Sequence, residues 1–355
     1  MEKYILVINP GSTSTKFAVF KNEEEMFVEK ISHDIDELSK FKTIVSQTDF
    51  RKNLILEKLQ EKNFDLNKLN GVCGRGGMLR AMASGTYLVN DAMVSDLETE
   101  KYGAHASNLG AIIARSIATP LNIPAFIVDP VSVDEYEDVA RISGMPMIER
   151  VSIFHALNHK AIGRLVARDI GKKYENLNLL ICHMGGGISV GAHKQGRVID
   201  VNSALDGDGP MTPERSGSVP IGPLTKLCFS GKYTFEEIRK LNYGRGGLSA
   251  YLNTNDARIV MKKINEGDTY AKQILDAMIY QIGKEIGAYA TVLEGNVDYI
   301  VLTGGLAYQD YIVSEIKKRV SFIADVLVYP GEDELLALAM GALRVLNNEE
   351  TAKEY

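Results

Sequence analysis

An apolar strand that runs into a glycine-bearing turn and out into a second strand occurs twice in this chain, and that repeat limits the folds open to it. Residues 4–8 end in Asn9-Pro10-Gly11-Ser12, and residues 16–20 resume an extended pattern. Residues 177–182 end in His183-Met184-Gly185-Gly186-Gly187, and residues 188–192 resume in the same way. A third strand follows each pair, at 27–31 and, after a Lys194-Gln195-Gly196 turn, at 198–201. Each half therefore opens with a meander. Helical spacing at Phe50, Leu54, Ile55 and Leu59 predicts a helix over 50–62. A capped helix over 107–118, a strand over 125–128 and a helix over 155–170 follow. This order of meander and then alternating helices and strands reads as α/β. Residues 297–302 form a further strand that delivers Thr303-Gly304-Gly305 at its C-terminal end. Open α/β sheets bind ligands at the carboxyl ends of their strands. Three glycine turns so placed predict one cleft between two related domains.

Composition narrows the class. Forty basic against 46 acidic residues leave a net charge of −6, which argues against a general nucleic-acid binder or a cationic membrane-surface protein. Cys73, Cys182 and Cys228 are too few and too widely spaced for a disulfide framework or a CxxC metal site. The opening residues lack the basic and apolar regions of a signal peptide, and no apolar run reaches membrane-span length. A cytoplasmic protein is expected.

The polar turns carry the candidate chemistry. Asn9, Gly11, Ser12, Ser14 and Lys16 put an amide, small hydroxyls, a glycine and a lysine into one hairpin, read either as an anion-binding concavity or as a polar β-turn. No GxxxxGK[ST] P-loop occurs. Three consecutive glycines, Gly185, Gly186 and Gly187, suit a phosphate lying against main chain or a tight hairpin. His183 beside them is a phosphoryl donor or a core histidine. Residues 206–223 hold four prolines and four glycines around Arg215-Ser216-Gly217, which reads as a shaped loop without helix, either a ligand clamp or a linker. Arg75 in Gly74-Arg75-Gly76-Gly77 offers a planar fork to carboxylate or phosphate, or is a solvated arginine. Asp129 and Glu334 are candidates for Mg²⁺ or for caps. Asp256, Arg258, Gly304 and Gly305 are candidates for nucleoside contacts. Together these point to ATP and Mg²⁺ with a small anionic co-substrate.

At this point the motifs resemble the acetokinase family, the acetate and butyrate kinases of the sugar kinase, Hsp70 and actin superfamily. Asn9-x-Gly-Ser-x-Ser-x-Lys16 resembles its first phosphate turn, Phe154-His155 with His159 its Phe-His motif, and Cys182-His183-x-Gly-x-Gly187 its second phosphate turn. Arg215-Ser-Gly217 resembles the arginine loop, Thr303-Gly-Gly305 the adenosine motif, Asp256-x-Arg258 the purine-side pair, and Glu334 the late metal-side acid, with Asp333 as the other reading of that register. Gly186 in place of asparagine, Pro130 in place of threonine, Arg75 in Gly-Arg-Gly-Gly and a short chain favour the butyrate branch.

The resemblance implies two RNase H-like (actin-like ATPase) domains with an interdomain active-site cleft. Residues 1–150 plus 335–355 would form the first, and 151–334 the nucleotide-binding second. It implies Mg-ATP-dependent, reversible phosphorylation of butyrate or a short branched-chain fatty acid to the acyl phosphate, with ADP as the other product. Arg75, Asp129, His183 and Arg215 would be catalytic. Asn9, Ser12, Ser14, Lys16 and His155 would bind substrate or phosphate, Gly185–Gly187, Asp256, Arg258, Gly304 and Gly305 the nucleotide, and Asn9 and Glu334 the metal. The helix over 335–345 would pack on the first domain, and the protein would be a homodimer or larger homo-oligomer. The alternatives are an acetate or propionate kinase, a sugar kinase using Asp129 as base, and an actin-type ATP switch.

Overall fold

The structure is a computed structural model that describes residues 2–205 and 207–355; Met1 and Asp206, the first residue of the proline-rich loop, lie outside the described residues. Two compact units divide the chain. The first comprises the residues up to Asp134, Ala156–Asn158 and Asp333–Tyr355, and the second Glu135–His155 and His159–Glu332. Residues 135–150, expected with the first domain, group with the second. Glu137 N–H donates to the Ile199 carbonyl at 3.0 Å, and the Glu135 carboxylate accepts from Val198 N–H at 2.8 Å. That segment runs along an edge of the second sheet.

In the first unit, β1 (Tyr4–Pro10), β2 (Ser14–Lys21) and β3 (Glu24–Ser32) form the expected meander. β4 (Leu69–Arg75), β5 (Thr86–Leu88) and β6 (Ala125–Val128) complete a six-stranded sheet of order β3-β2-β1-β4-β6-β5. β1, β4 and β6 are parallel, with Ile8 opposite Gly74 and Arg75 opposite Val128. Parallel strands covered on both faces read as continuous apolar runs, as 5–8 and 125–128 do. Helices Thr48–Glu61 and Asn108–Ala118 cover one face, where Leu6, Ile8, Ile55, Leu109, Ile113 and Ile127 form the core. Helix Glu334–Leu346 packs on β1, β4 and β6 and meets Val128 through Gly341. Because neighbouring strand residues point to opposite faces, Val128 puts this helix on the face away from Ile127.

The second unit repeats the plan. β7 (Asn178–Met184), β8 (Ile188–Lys194) and β9 (Arg197–Val201) form an antiparallel meander. β10 (Tyr299–Gly304) and β11 (Val326–Pro330) add in parallel, giving the order β11-β10-β7-β8-β9. Thr303 lies opposite His183. The long helix Thr269–Val292 buries Leu275, Ile279, Ile282 and Ile286 in the core with Leu180, Val190 and Leu302.

Two local expectations need correction. The loop over 206–223 ends at Pro220, because a helix occupies Ile221–Cys228. Pro223 falls in its first turn, where a missing N–H costs nothing. Ser107 precedes helix Asn108–Ala118 but makes no side-chain cap; its hydroxyl bonds His105 Nδ1 at 2.7 Å instead.

The close approach of β4 to helix Asn108–Ala118 fixes where Arg75 emerges. A methyl added at Gly74 would lie 2.1 Å from the Gly110 carbonyl oxygen, and one added at Gly110 would lie 2.3 Å from that of Arg75. Both partners are backbone and cannot rotate away. Gly74→Ala is expected to destabilise the protein by about 3 kcal/mol, the upper end for overpacking, read as a lower urea midpoint.

Candidate active site

In the first unit the parallel register brings three strand ends into line. Asn9 is the last residue but one of β1, Arg75 closes β4 and Asp129 follows β6. Glu334, the first residue of helix Glu334–Leu346, joins two of them. Its carboxylate pairs with the Arg75 guanidinium through one oxygen and accepts from Asn9 Nδ2 at 2.7 Å through the other. Asp333 is engaged differently: it caps that helix, accepting from Leu336 N–H at 2.9 Å. Asp129 is 1% exposed and takes φ +39°, a conformation that L side chains rarely adopt. Its carboxylate accepts from the Ser84 hydroxyl at 2.6 Å and Gly85 N–H at 2.8 Å. His105, which the sequence reading did not select, is held below its usual pKa by burial and by the charge of Arg75.

Arg51 governs the first hairpin turn. It is 1% exposed and donates to the carbonyls of Gly11 at 2.7 Å, Ser12 at 3.0 Å and Ser14 at 3.1 Å, and to Gln47 Oε1. The inward carbonyls of the turn are thereby consumed. Ser12 and Lys16 are exposed and Ser14 half-buried. Burial lowers the Arg51 pKa to about 10, so it stays charged at neutral pH. One signal for Arg51 was present: it continues the Ile55 and Leu59 stripe at a spacing of four, placing a charge on the buried face of its helix.

In the second unit the glycine turn and the arginine loop meet. A methyl at Gly187 would lie 1.8 Å from Arg215 Nη1, and one at Gly186 would lie 3.4 Å from the Glu214 carboxylate. Thr212 ties the two segments, its hydroxyl donating to the Gly186 carbonyl at 2.6 Å and accepting from Arg215 N–H at 3.0 Å. The guanidinium of Arg215 stands 5.0 Å over the Tyr243 ring. His183 is 2% exposed, lies against His155 with ring centroids 4.4 Å apart and planes tilted by 35°, and has Nε2 3.2 Å from the Glu332 carboxylate. Its Nδ1 is buried with no hydrogen-bond partner among the described residues. Such an atom is costly unless a ligand brings its partner. Gly304 has φ +87° and packs against the Met184 backbone, so the Thr303-Gly304-Gly305 turn adjoins Gly185. Asp256 and Arg258 sit apart in role: Asp256 caps helix Ala257–Asn265, and its ion pair with Arg258 at 2.6 Å holds its pKa down to about 2.

Among the described residues no group of three or more His, Cys, Asp or Glu could cage a metal ion. Asn9 and Glu334 supply hard oxygen donors of the number Mg²⁺ takes from protein when phosphates and waters complete its shell, so they fit that ion. No helix among the described residues is long and apolar enough to cross a membrane.

Comparison with known proteins shows the family and the fold. The model of the acetokinase family matches residues 147–324. A probable butyrate kinase of Clostridium botulinum (strain Alaska E43 / Type E3) is 56% identical over 355 residues, 100% of both chains. Butyrate kinase 1 of Clostridium acetobutylicum is 56% identical over 351 residues, 99% of each. Among solved structures, Porphyromonas gingivalis acetate kinase matches with a TM-score of 0.81 at 20% identity, covering 97% of this chain and 100% of that one. A propionate kinase from Francisella tularensis subsp. tularensis SCHU S4 matches with 0.75 at 18%, covering 96% and 98%. These structural likenesses show the fold, two RNase H-like halves of the actin-like ATPase type. The chain belongs to the acetokinase family. It is a kinase with ATP as phosphoryl donor and a carboxylate as acceptor.

Gly187→Ala tests the contact between turn and arginine. The added methyl must push the guanidinium aside while the backbone stays. Activity is expected to fall about 100-fold, the cost of displacing a positioned group by about 1 Å, with the thermal midpoint nearly unchanged. Wild-type turnover would mean that the position of Arg215 is unimportant.

Proposed function

We propose that the acceptor is butyrate or a short branched-chain fatty acid, and that the enzyme makes the acyl phosphate and ADP reversibly. The observation that carries this is 56% identity over the whole chain to proteins named as butyrate kinases. A carboxylate is ionised at neutral pH and needs no general base. Its oxygen attacks the γ-phosphorus as the bond to the ADP oxygen breaks, and no proton moves. The barrier is then positional and electrostatic, set by charge on the oxygens of the transferring group.

In this reading each unit contributes named roles. Arg75 and Arg215 neutralise the carboxylate and the transferring phosphoryl group. His183 donates to the same phosphoryl oxygens from Nε2, the nitrogen that faces Glu332, with the tilted His155 ring beside it. Ser12, Ser14 and Lys16 hold phosphate on the face of the turn that Arg51 leaves open. The Gly185–Gly187 and Gly304–Gly305 turns, which adjoin, take the nucleotide with Asp256 and Arg258 at its purine side. Asn9 and Glu334 would hold Mg²⁺, and Asp129 orients its water or an arginine. When bound, the ion supplies positive charge to the β- and γ-phosphate oxygens. Self-association as a homodimer or larger assembly, and a cytoplasmic location, complete the reading.

A hydroxylamine-trapping assay with ATP, Mg²⁺ and a panel of short acids tests the substrate. Hydroxamate is expected to peak with butyrate or a branched four-to-five-carbon acid. An acetate or propionate maximum would move the enzyme to that branch, and no hydroxamate with any acid would reject the reading. Discrimination is expected to be graded, since a pocket gains only about 1–3 kcal/mol per methylene.

Arg215→Ala is expected to lower kcat by about a thousandfold, the scale of losing a transition-state arginine, with the circular dichroism spectrum unchanged. Near-wild-type turnover would remove Arg215 from the chemistry.

A further inference from the structure

Four of the six histidines of the chain stand in one cluster of the second unit, and the proposed chemistry uses only two of them. Behind His155 runs a continuous buried hydrogen-bonded chain. His155 Nδ1 is 2.8 Å from Ser189 Oγ, which is 2.8 Å from His159 Nε2. His159 Nδ1 is 3.0 Å from His193 Nε2, and His193 Nδ1 is 2.5 Å from the Tyr174 hydroxyl. Ser189, His159 and His193 are fully buried and Tyr174 is 4% exposed. The fold spends several features on holding it. Ser189 and His193 share one face of β8, four residues apart. His159 lies one turn along helix Ala156–Asp169 from His155. Gly163 makes room for the Tyr174 ring, against which an added methyl would lie at 2.5 Å, and Gly191 has His159 at 3.2 Å.

Proton counting makes this chain directional. Burial keeps His159 and His193 neutral, helped at His159 by the neighbouring His193, His183 and Lys160 and at His193 by Lys160. A neutral imidazole donates at one nitrogen and accepts at the other. Both rings use both nitrogens within the chain, so they must point the same way. Either hydrogen bonds run from Tyr174 towards His155, or all run back. A phenol is a stronger acid than a neutral imidazole N–H, and an imidazole nitrogen is a stronger base than a phenol oxygen. Tyr174 therefore donates to His193 Nδ1. His193 Nε2–H then donates to His159 Nδ1, His159 Nε2–H to Ser189 Oγ, and the Ser189 hydroxyl to His155 Nδ1. The last acceptor is left with its proton on Nε2.

We propose that Tyr174, His193, His159 and Ser189 form a polarised relay that fixes His155 as its Nε2–H tautomer and locks its ring against His183. These four are positioning residues. They act on substrate only through His155, and their effect on turnover rests on the reading of His155 as a phosphate-side donor. The tautomer itself does not depend on that reading. No net proton transfer along the chain is involved.

Long-range ¹H–¹⁵N spectra of the full-length protein with ¹⁵N-labelled histidine test this, with His155 assigned by its loss in His155→Gln. The wild-type spectrum is expected to show His155 with Nε2 protonated and Nδ1 bare. Tyr174→Phe keeps the ring and removes the donor, so His155 is expected to shift to the other tautomer or to an averaged signal. Its kcat is expected to fall about 10- to 100-fold, the usual scale for losing an orienting hydrogen bond, with KM within about twofold. Ser189→Ala cuts the last link without touching Tyr174 and should release the tautomer equally, while Ser189→Thr, which keeps a hydroxyl, should restore it. His155 protonated at Nδ1 in the wild-type protein, or an unchanged tautomer in both Tyr174→Phe and Ser189→Ala, would overturn the relay. The spectra need no substrate: the expected tautomers from a protein that makes no acyl phosphate would support the relay and reject the activity.

Discussion

Parallel pairing is the constraint on which the candidate chemistry depends. β1, β4 and β6 run the same way, with Ile8, Gly74 and Ile127 in register, so the residues that follow must leave the sheet at one edge. Asn9 and Arg75 come next, and Asp129 one residue further on, after Val128. In the second unit the same pairing of β7, β10 and β11 puts Thr303 beside His183 and Gly304 beside Pro330. A register slip of one residue would turn these side chains to the other face. Glycine at position 74 secures the register in the first unit by allowing a helix backbone to sit directly on the strand.

Electrostatics within each unit follow a common plan. A donor side chain at a strand end is paired with a glutamate from the segment after β11: Arg75 with Glu334 and His183 with Glu332. Both carboxylates are reachable by water, Glu332 being 51% exposed. Partly exposed pairs of this kind are worth little in isolation, so an incoming anion can replace the glutamate at small cost. The buried charges are treated otherwise. Arg51 makes hydrogen bonds to backbone carbonyls, and Lys160 pairs with Glu135 at 2.5 Å. Those groups shape the site and are not available to exchange.

Much of this was legible in the sequence because glycine turns after apolar runs have few structural uses. The meander of each half and the glycine turn between its first two strands appear where the strand-turn-strand pattern put them. What escaped was carried by tertiary contact. Arg51 sits 37 to 40 positions from the carbonyls it holds, and nothing local marks it as a clamp except its place on an apolar stripe. Glu332 and Asp333 could not be told apart from Glu334 by composition, since only the start of the helix decides which one caps and which ones reach a cation. The helix Ile221–Cys228 was hidden by Pro223, whose tolerance in a first turn depends on where the helix begins. His193 and Tyr174 carry no signal in the sequence, and their connection with His159 exists only in three dimensions.

Asp129 has a consequence for anyone altering this protein. It is the buried side chain that holds the Ser84–Gly85 turn, and it does so from a backbone conformation that costs a non-glycine residue about 1–2 kcal/mol. Glycine would relieve that strain but strip the Ser84 hydroxyl and Gly85 N–H of this acceptor, and hydrogen bonds to a buried carboxylate are worth about 1.5–3 kcal/mol each, more than the relief. The turn therefore keeps its acid at the expense of a strained backbone, and a library meant to harden the enzyme should hold residue 129 fixed.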